Sequence, residues 1–374
     1  MRDLILPHAK RLAIKIGSSI LAARSAGLRL DHVQRLSGEI TRLKQEDREI
    51  VLVSSGAIVA GIGKLGLKSY PQTLPLKQAA ASAGQSRLIH AYETCFREAG
   101  QKIAQVLLTH EDLADRKRFL NARHTLTTLL QLGVIPIINE NDAVSVDEIR
   151  FGDNDTLAAQ VAHLVDADLF IILSDVDGLF TRDPRRDPEA TLISHVTEIT
   201  PDIEQGAGTS QSLESRGGMV TKIQAAKLAR QFGVPTLLLN GETPGLLPGV
   251  FAGSEGGTLF FSQGRKLPSR KHWIAYTLRP KGQLVLDPGA VTALTSRGKS
   301  LLPSGIVEVK GTFAAGDPVS CVDTDGKEFA KGLVNFSSDV VSGIKGRRTK
   351  EIAHEAGTRE YEEVIHRDNL ALLV

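Results

Sequence analysis

From residue 11 to about residue 261, short continuous apolar runs alternate with longer stretches in which apolar positions recur at helical spacing. Leu12-Ala13-Ile14 leading into Lys15-Ile16, Glu49-Ile50-Val51-Leu52-Val53, 103–108, 134–138 and Leu169-Phe170-Ile171-Ile172-Leu173 predict strands. The segments 31–44, with Asp31 as N-cap, 76–98, 119–132, 156–165 and 221–232 predict helices. Strands without polar alternation suit the middle of a sheet covered on both faces. The expected fold class is therefore α/β, a doubly wound αβα sandwich with a mostly parallel sheet.

After Gly257-Thr258-Leu259-Phe260-Phe261 the pattern changes. Residues 263–280 are largely polar and basic and read as a linker. Beyond them, Leu284-Val285-Leu286, Val307-Glu308-Val309, Val319-Ser320-Cys321-Val322 and Gly332-Leu333-Val334 are short runs separated by Gly, Pro and Asp. That spacing predicts a small, mostly-β barrel-like domain with a short helix at 289–297. The expected organisation is 1–262, a linker at 263–280, and 281–374.

Composition narrows the function classes without choosing one. A formal net charge of +2 is too small to demand a polyanionic partner. The two cysteines, Cys95 and Cys321, build neither a disulfide framework nor a metal knuckle. Asp3 and Pro7 interrupt the N-terminus before a signal-peptide core forms, and no apolar run approaches the ~20 residues of a membrane span. A cytoplasmic protein is expected, with no membrane association.

Candidate chemistry collects where the predicted strands end: Lys15-Ile16-Gly17-Ser18-Ser19, Ser54-Ser55-Gly56-Ala57, Asn139-Glu140-Asn141-Asp142, Gly152-Asp153-Asn154-Asp155, Ser174-Asp175 and Arg216-Gly217-Gly218-Met219-Val220-Thr221-Lys222. Ligands of open α/β sheets bind outside the carboxyl ends of the strands. Other patterns lead nowhere. Gly61-Ile62-Gly63-Lys64-Leu65-Gly66 matches a dinucleotide fingerprint but begins several residues after its strand and lacks the later acidic residue. Arg297-Gly298-Lys299-Ser300 lacks the earlier glycine of a phosphate loop and reads as a turn. His110, His124 and His163 have no metal-ligand spacing, and Ser55 has no obvious base partner.

Lys15 beside Gly17-Ser18-Ser19, and Lys222 opening a helix after Gly217-Gly218, pair ammonium groups with backbone amides. That combination suits phosphoryl transfer, where positioning and electrostatics carry catalysis. Asp153 and Asp155 read as Mg²⁺ ligands, as partners holding the lysines, or as the N-cap of the following helix. Asn139, Asn141 and Asp142 offer acceptors for an ammonium group or form a hydrogen-bonded loop.

These segments, with Phe119-Leu120-Asn121-Ala122-Arg123, resemble the glutamate 5-kinases of the amino acid kinase family, in order over essentially the whole chain. The stretch with Asp287-Pro288-Gly289-Ala290, Ser300-Leu301-Leu302-Pro303-Ser304-Gly305-Ile306 and Gly316-Asp317-Pro318-Val319 is similar to a PUA domain. The resemblance implies phosphorylation of the γ-carboxylate of L-glutamate by ATP with Mg²⁺, the first step of proline synthesis, with feedback inhibition by L-proline and a dimeric or tetrameric homo-oligomer. It assigns catalysis to Lys15, Lys222 and Asp155, and the amino acid to Ser55, Asp142 and Asn154. The nucleotide falls to Lys15, Gly17, Ser174, Asp175, Arg216, Gly217, Gly218, Met219 and Lys222, and no residue is assigned as a metal ligand. Arg216 departs from the small or hydroxyl residue expected there, and its guanidinium either pairs with a nucleotide phosphate or lies in solvent.

Acetylglutamate, aspartate or carbamate kinases are the nearest rivals, since sheet and lysines would serve any of them; Asn139 to Asp142 and the PUA-like tail favour glutamate. An RNA-binding factor is the rival from another class. Lys345, Arg347, Arg348 and Lys350 are opposed by Glu360, Glu362 and Glu363, so RNA binding is not expected.

Overall fold

The computed structural model describes residues 2–23, 27–144, 153–208, 218–262, 271, 274–275, 278–347 and 363–373. Gly152, Arg216, Gly217, Arg348, Lys350, Glu360, Glu362 and most of 263–280 lie outside the described residues. The chain divides into two compact units, Met1–Lys266 and Leu267–Val374.

The first unit is built from β1 (Arg11–Ile16), α1 (Leu30–Gln45), β2 (Glu49–Ser54), α2 (Ala57–Lys64), α3 (Leu74–Glu98), β3 (Ile103–Leu108), α4 (Arg116–Gln131) and β4 (Ile135–Glu140). It continues with α5 (Asp153–Leu164), β5 (Leu169–Ser174), β6 (His195–Val196), α6 (Met219–Gln231), β7 (Thr236–Asn240), α7 (Leu246–Phe251) and β8 (Thr258–Phe260). Its eight-stranded sheet has the order β6-β8-β7-β5-β1-β2-β4-β3. Every pairing is parallel except β7 with β8. The chain leaves β1 for β2 on one side and later returns to β5 on the other, so a topological switch point lies at the carboxyl end of β1.

Alternation along the central strands separates two buried layers. Leu12, Ile14 and Ile16 of β1, with Ile50 and Leu52 of β2 and Ile171 and Leu173 of β5, join a core with Val33, Leu36 and Ile40 of α1 and Leu88, Tyr92 and Phe96 of α3. Ala13 and Lys15 face the other way, where α5 packs on β1, β2 and β5 and against α6. The sheet period of two therefore carries the lysine to the α5 face, and a slip of one residue would bury it in the opposite core.

Two local readings change. The helix expected to be capped by Asp31 is instead entered from Arg29, two residues earlier: His32 and Val33 N–H both donate to the Arg29 carbonyl at 3.1 Å. The Arg29 N–H is itself fixed to the Leu21 carbonyl at 2.7 Å, which sets the start. Asp31 lies inside the first turn, where a carboxylate favours the positive helix end without capping it. Asp155 is also not a cap, since α5 starts at Asp153 and Asp155 is already helical.

Gly61 of the rejected dinucleotide pattern has a packing role, shared with Gly84. A Cβ on Gly61 of α2 would stand 1.8 Å from the Ala80 carbonyl oxygen of α3, and one on Gly84 of α3 would stand 1.8 Å from that of Ala57. The two helices touch backbone to backbone, and only glycine fits.

In the second unit, β9 (Gly282–Leu286), β10 (Ile306–Gly311), β11 (Pro318–Val322), β12 (Glu328–Leu333) and β13 (Leu370–Leu372) form a sheet ordered β10-β9-β11-β12-β13. Only β9 with β11 is parallel. Helices α8 (Pro288–Thr295) and α9 (Ser338–Ile344) accompany it, and Leu284, Leu286, Val319, Cys321, Val341 and Ile365 share the core. Asp287 caps α8 by accepting the Ala290 N–H at 2.7 Å. Gly298, at φ +58°, lies just beyond α8, so Arg297-Gly298-Lys299-Ser300 follows a helix and not a strand.

Gly84→Ala should destabilise the protein by about 1–3 kcal/mol through overpacking. Gly38→Ala, on α1 with open space around it, should stabilise it by about 0.5–1 kcal/mol. Urea unfolding of both variants checks the contrast; equal effects would contradict the close packing of α2 on α3.

Candidate active site

Lys15, near the end of β1, is buried with its ammonium 2.6 Å from Asp155 Oδ1. Asp155 is the third residue of α5 and 0% exposed. Lys222, the fourth residue of α6, brings a second buried ammonium to 3.8 Å from Asp155 Oδ2. Thr221 donates its hydroxyl to the same Oδ2 at 2.8 Å and also lies 3.0 Å from the Gly218 carbonyl. The oxygens of Asp155 thus face two lysines and a hydroxyl, an arrangement that holds both ammonium groups in place.

Burial alone would raise the Asp155 carboxyl, but Lys15 and Lys222, helped by the Thr221 hydroxyl, hold it below the usual carboxylate range. Burial pushes the Lys222 ammonium below the ordinary lysine range; Asp155 and Asp175 oppose that shift, and Lys15 adds to it. One carboxylate against two ammonium groups leaves a local excess of positive charge suited to an anion.

A second cluster lies at the ends of β2 and β4. Asn154 donates its Nδ2 to Ser55 Oγ at 2.9 Å and to Asn139 Oδ1 at 3.1 Å. Asn139 in turn donates its Nδ2 to Gln85 Oε1 on α3 at 2.8 Å. Asn154 Oδ1 is buried and has no hydrogen-bond partner among the described residues. A buried acceptor in that condition is costly unless a ligand completes it. Asp142 stands half-exposed in the turn after β4.

Beside the lysines is a cavity of about 560 Å³, a normal size for a small-molecule site. Ser174, Asp175, Gly218, Met219 and Lys222 line it, together with 176–185, Ile193, Asp202 and Ile203. Ser174 donates to Asp175 Oδ1 at 3.0 Å. Gly17 is near, but its N–H is consumed by the Leu173 carbonyl at 3.1 Å across the switch point, so it is not a spare donor for phosphate. Another cavity, of about 690 Å³, belongs to the second unit, between α8 and Lys299, His366 and Arg367, and has no paired buried lysines.

The sequence-predicted residues therefore assemble as Lys15, Lys222 and Asp155; as Ser55 and Asn154; and as Ser174, Asp175, Gly218, Met219 and Lys222 around one cavity. Arg216 and Gly217 lie outside the described residues. Thr221 and Gln85 were not anticipated. Thr221 lies inside a motif, yet adjacency to Lys222 says nothing of a contact with Asp155; Gln85 sits on a helix with no local mark of chemistry.

Residues 10–240 match the amino acid kinase family, and residues 282–356 match the PUA domain. The chain is similar over its full length to glutamate 5-kinases: 52% identical to that of Geobacter sulfurreducens, with 100% of both chains covered, and 52% identical to that of Geobacter metallireducens, again over 100% of both. The glutamate 5-kinase of Moorella thermoacetica is 50% identical, over 99% of this chain and 98% of that one. The chain belongs to the amino acid kinase family. In this amino acid kinase the buried Lys–Asp–Lys cluster reaches the cavity through Lys222, and the chain carries a C-terminal PUA domain after it in sequence.

Asp155→Asn would leave two buried ammonium groups without their counter-charge and should cost about 3–5 kcal/mol. Because the native carboxyl titrates below its unfolded value of ~3.9, the wild-type advantage should be complete above that pH and shrink as pH falls toward the native value. Denaturant titrations of both proteins between neutral and acid pH measure it; a gap that does not narrow in acid would contradict the pairing.

Proposed function

We propose that the protein phosphorylates the γ-carboxylate of L-glutamate with ATP, giving L-glutamyl 5-phosphate and ADP, the step that opens proline synthesis. The observation that carries the reading is the pair of buried lysines bracketing Asp155, one of which, Lys222, lines the cavity. Full-length similarity to glutamate 5-kinases supports the choice of acceptor.

The nucleophile is the glutamate side-chain carboxylate, with an ordinary pKa of ~4.3, so it is ionised at neutral pH and needs no general base. Its oxygen forms the new bond to the γ-phosphorus while the bond to the bridging β,γ-oxygen breaks and its electrons leave with ADP. The obstacle is repulsion between two anions, and the transition state spreads charge over several oxygens. Lys15 and Lys222 face that charge from opposite sides of Asp155, pre-positioned by it, so little reorganisation is required during the reaction. Ser55, Asn154 and Asp142 hold the amino acid. The nucleotide occupies the cavity between 176–185 and α6, against Ser174, Asp175, Gly218 and Met219.

Mg²⁺ in the site would be held chiefly by phosphate oxygens and water. Asp175, exposed on the cavity wall next to Ser174, is one of the carboxylates, with Asp177, Asp183 and Asp202, that would meet its water shell. Bound there, Mg²⁺ would neutralise charge on the β- and γ-oxygens.

The reading includes a cytoplasmic homo-oligomer, a dimer or tetramer, inhibited by L-proline. Among the described residues no helix is long and apolar enough to cross a membrane, and Cys95 and Cys321 are free thiols, as a reducing compartment requires.

Incubation with MgATP and L-glutamate in hydroxylamine should trap the acyl phosphate as hydroxamate, with none from aspartate or N-acetylglutamate. Product from another acid would keep the phosphoryl chemistry and change the specificity; no product would overturn the assignment. Lys222→Met should lower kcat by about 10²–10³ while changing the KM for glutamate little, because the lost interaction belongs to the transition state.

A further inference from the structure

Gln85 lies on α3, outside every segment to which the proposed chemistry assigns a role, yet its side chain reaches the acceptor site. It faces the sheet from the same helix as Tyr92, whose hydroxyl meets Ser54 Oγ at 2.9 Å. Tyr92 and Gln85 are seven residues apart, two helical turns, with buried Leu88 between them. The helix thus fixes Gln85 against the end of β4 by packing and by a second polar contact.

The order of donors and acceptors from Gln85 has a direction. The Gln85 carbonyl accepts the Asn139 amide N–H at 2.8 Å, which turns the Asn139 carbonyl toward Asn154. That carbonyl and Ser55 Oγ take both hydrogens of the Asn154 amide, at 3.1 and 2.9 Å. With both donors committed, Asn154 offers the site only Oδ1, which is buried and has no partner among the described residues. Reversing one amide would reverse them all, since each amide has one accepting end and one donating end. The site would then present Asn154 N–H groups and repel an ammonium.

We propose that Gln85 is a positioning residue that fixes the polarity of the Gln85–Asn139–Asn154–Ser55 relay, so that Asn154 presents an acceptor to the amino group of the acceptor substrate. The inference rests on the reading of that substrate as a free amino acid. It makes α3 a determinant of recognition through two intervening amides, with no contact between Gln85 and the ligand required. Asn139, only 2% exposed, is the buried link, and Gln85 is the half-buried end from which the direction is set.

The test compares Gln85→Met, which keeps length and removes the acceptor, with Gln85→Glu, whose ionised carboxylate is acceptor-only and enforces the same direction. Steady-state kinetics of the full chain should show the KM for glutamate raised about tenfold in Gln85→Met, the scale of one lost buried hydrogen-bond partner, with the KM for ATP within twofold. Gln85→Glu should stay within about threefold of wild type. Thermal unfolding of each variant checks that it is folded, and the unchanged KM for ATP separates a local effect from general damage. An unaltered glutamate KM in Gln85→Met, or a Gln85→Glu variant as impaired as Gln85→Met, would overturn the relay. Wild-type protein that does not turn over glutamate at all would instead overturn the parent reading, before any variant is compared.

Discussion

Burying two ammonium groups close to each other is unfavourable in both desolvation and repulsion, and Asp155 makes it tolerable here. Its two oxygens divide the work: Oδ1 takes Lys15 at 2.6 Å, while Oδ2 accepts the Thr221 hydroxyl and stands 3.8 Å from Lys222. The cluster depends on three chain segments far apart in sequence. The register of β1 must aim Lys15 at α5, α5 must begin early enough for Asp155 to sit in its first turn, and α6 must deliver Thr221 and Lys222 together. Any one of these failing would leave an uncompensated buried charge.

The sheet makes that convergence possible. β1 lies between β2 and β5, and the crossovers leave it in opposite directions, so the loops after β1 and β5 border one crevice. Gly17 and Leu173 are joined by a backbone hydrogen bond across the crevice floor. On one side is the cavity bounded by 176–185 and α6; on the other are Ser55, Asn139 and Asn154. A phosphoryl donor and a small acceptor can therefore meet at the lysines from opposite sides, as in-line transfer requires.

The far face contributes more than covering. α2 and α3 approach through Gly61 and Gly84, which draws α3 close enough for Gln85 and Tyr92 to reach the strand ends. Packing and polarity are coupled here: the glycines bring two backbones into contact, and polar side chains within the same helix reach Asn139 and Ser54.

The sequence by itself determined β1 to β5 and α1, α3, α4, α5 and α6 of the first unit, because their apolar periodicity is long and consistent, but not the shorter α2, α7, β6 and β7; it marked Lys15, Ser55, Asn154, Asp155, Ser174 and Lys222 as candidates because strand ends there carry glycine and polar residues. It also carried the change of pattern near residue 261, since short runs between turn residues contrast with what precedes them. Tertiary structure alone decided the rest. Asp155 read as cap, metal ligand or ion-pair partner, and its contacts with Lys15, Lys222 and Thr221 exist only because α5, β1 and α6 meet. Asp31 read as a cap until the Arg29–Leu21 contact moved the helix start. The glycines at 61 and 84 carry no local sign of which backbone they must admit, and Thr221 and Gln85 gain their partners from residues 66 and 54 positions away. Periodicity reports which face of an element is buried; which side chains share that burial depends on how distant elements pack.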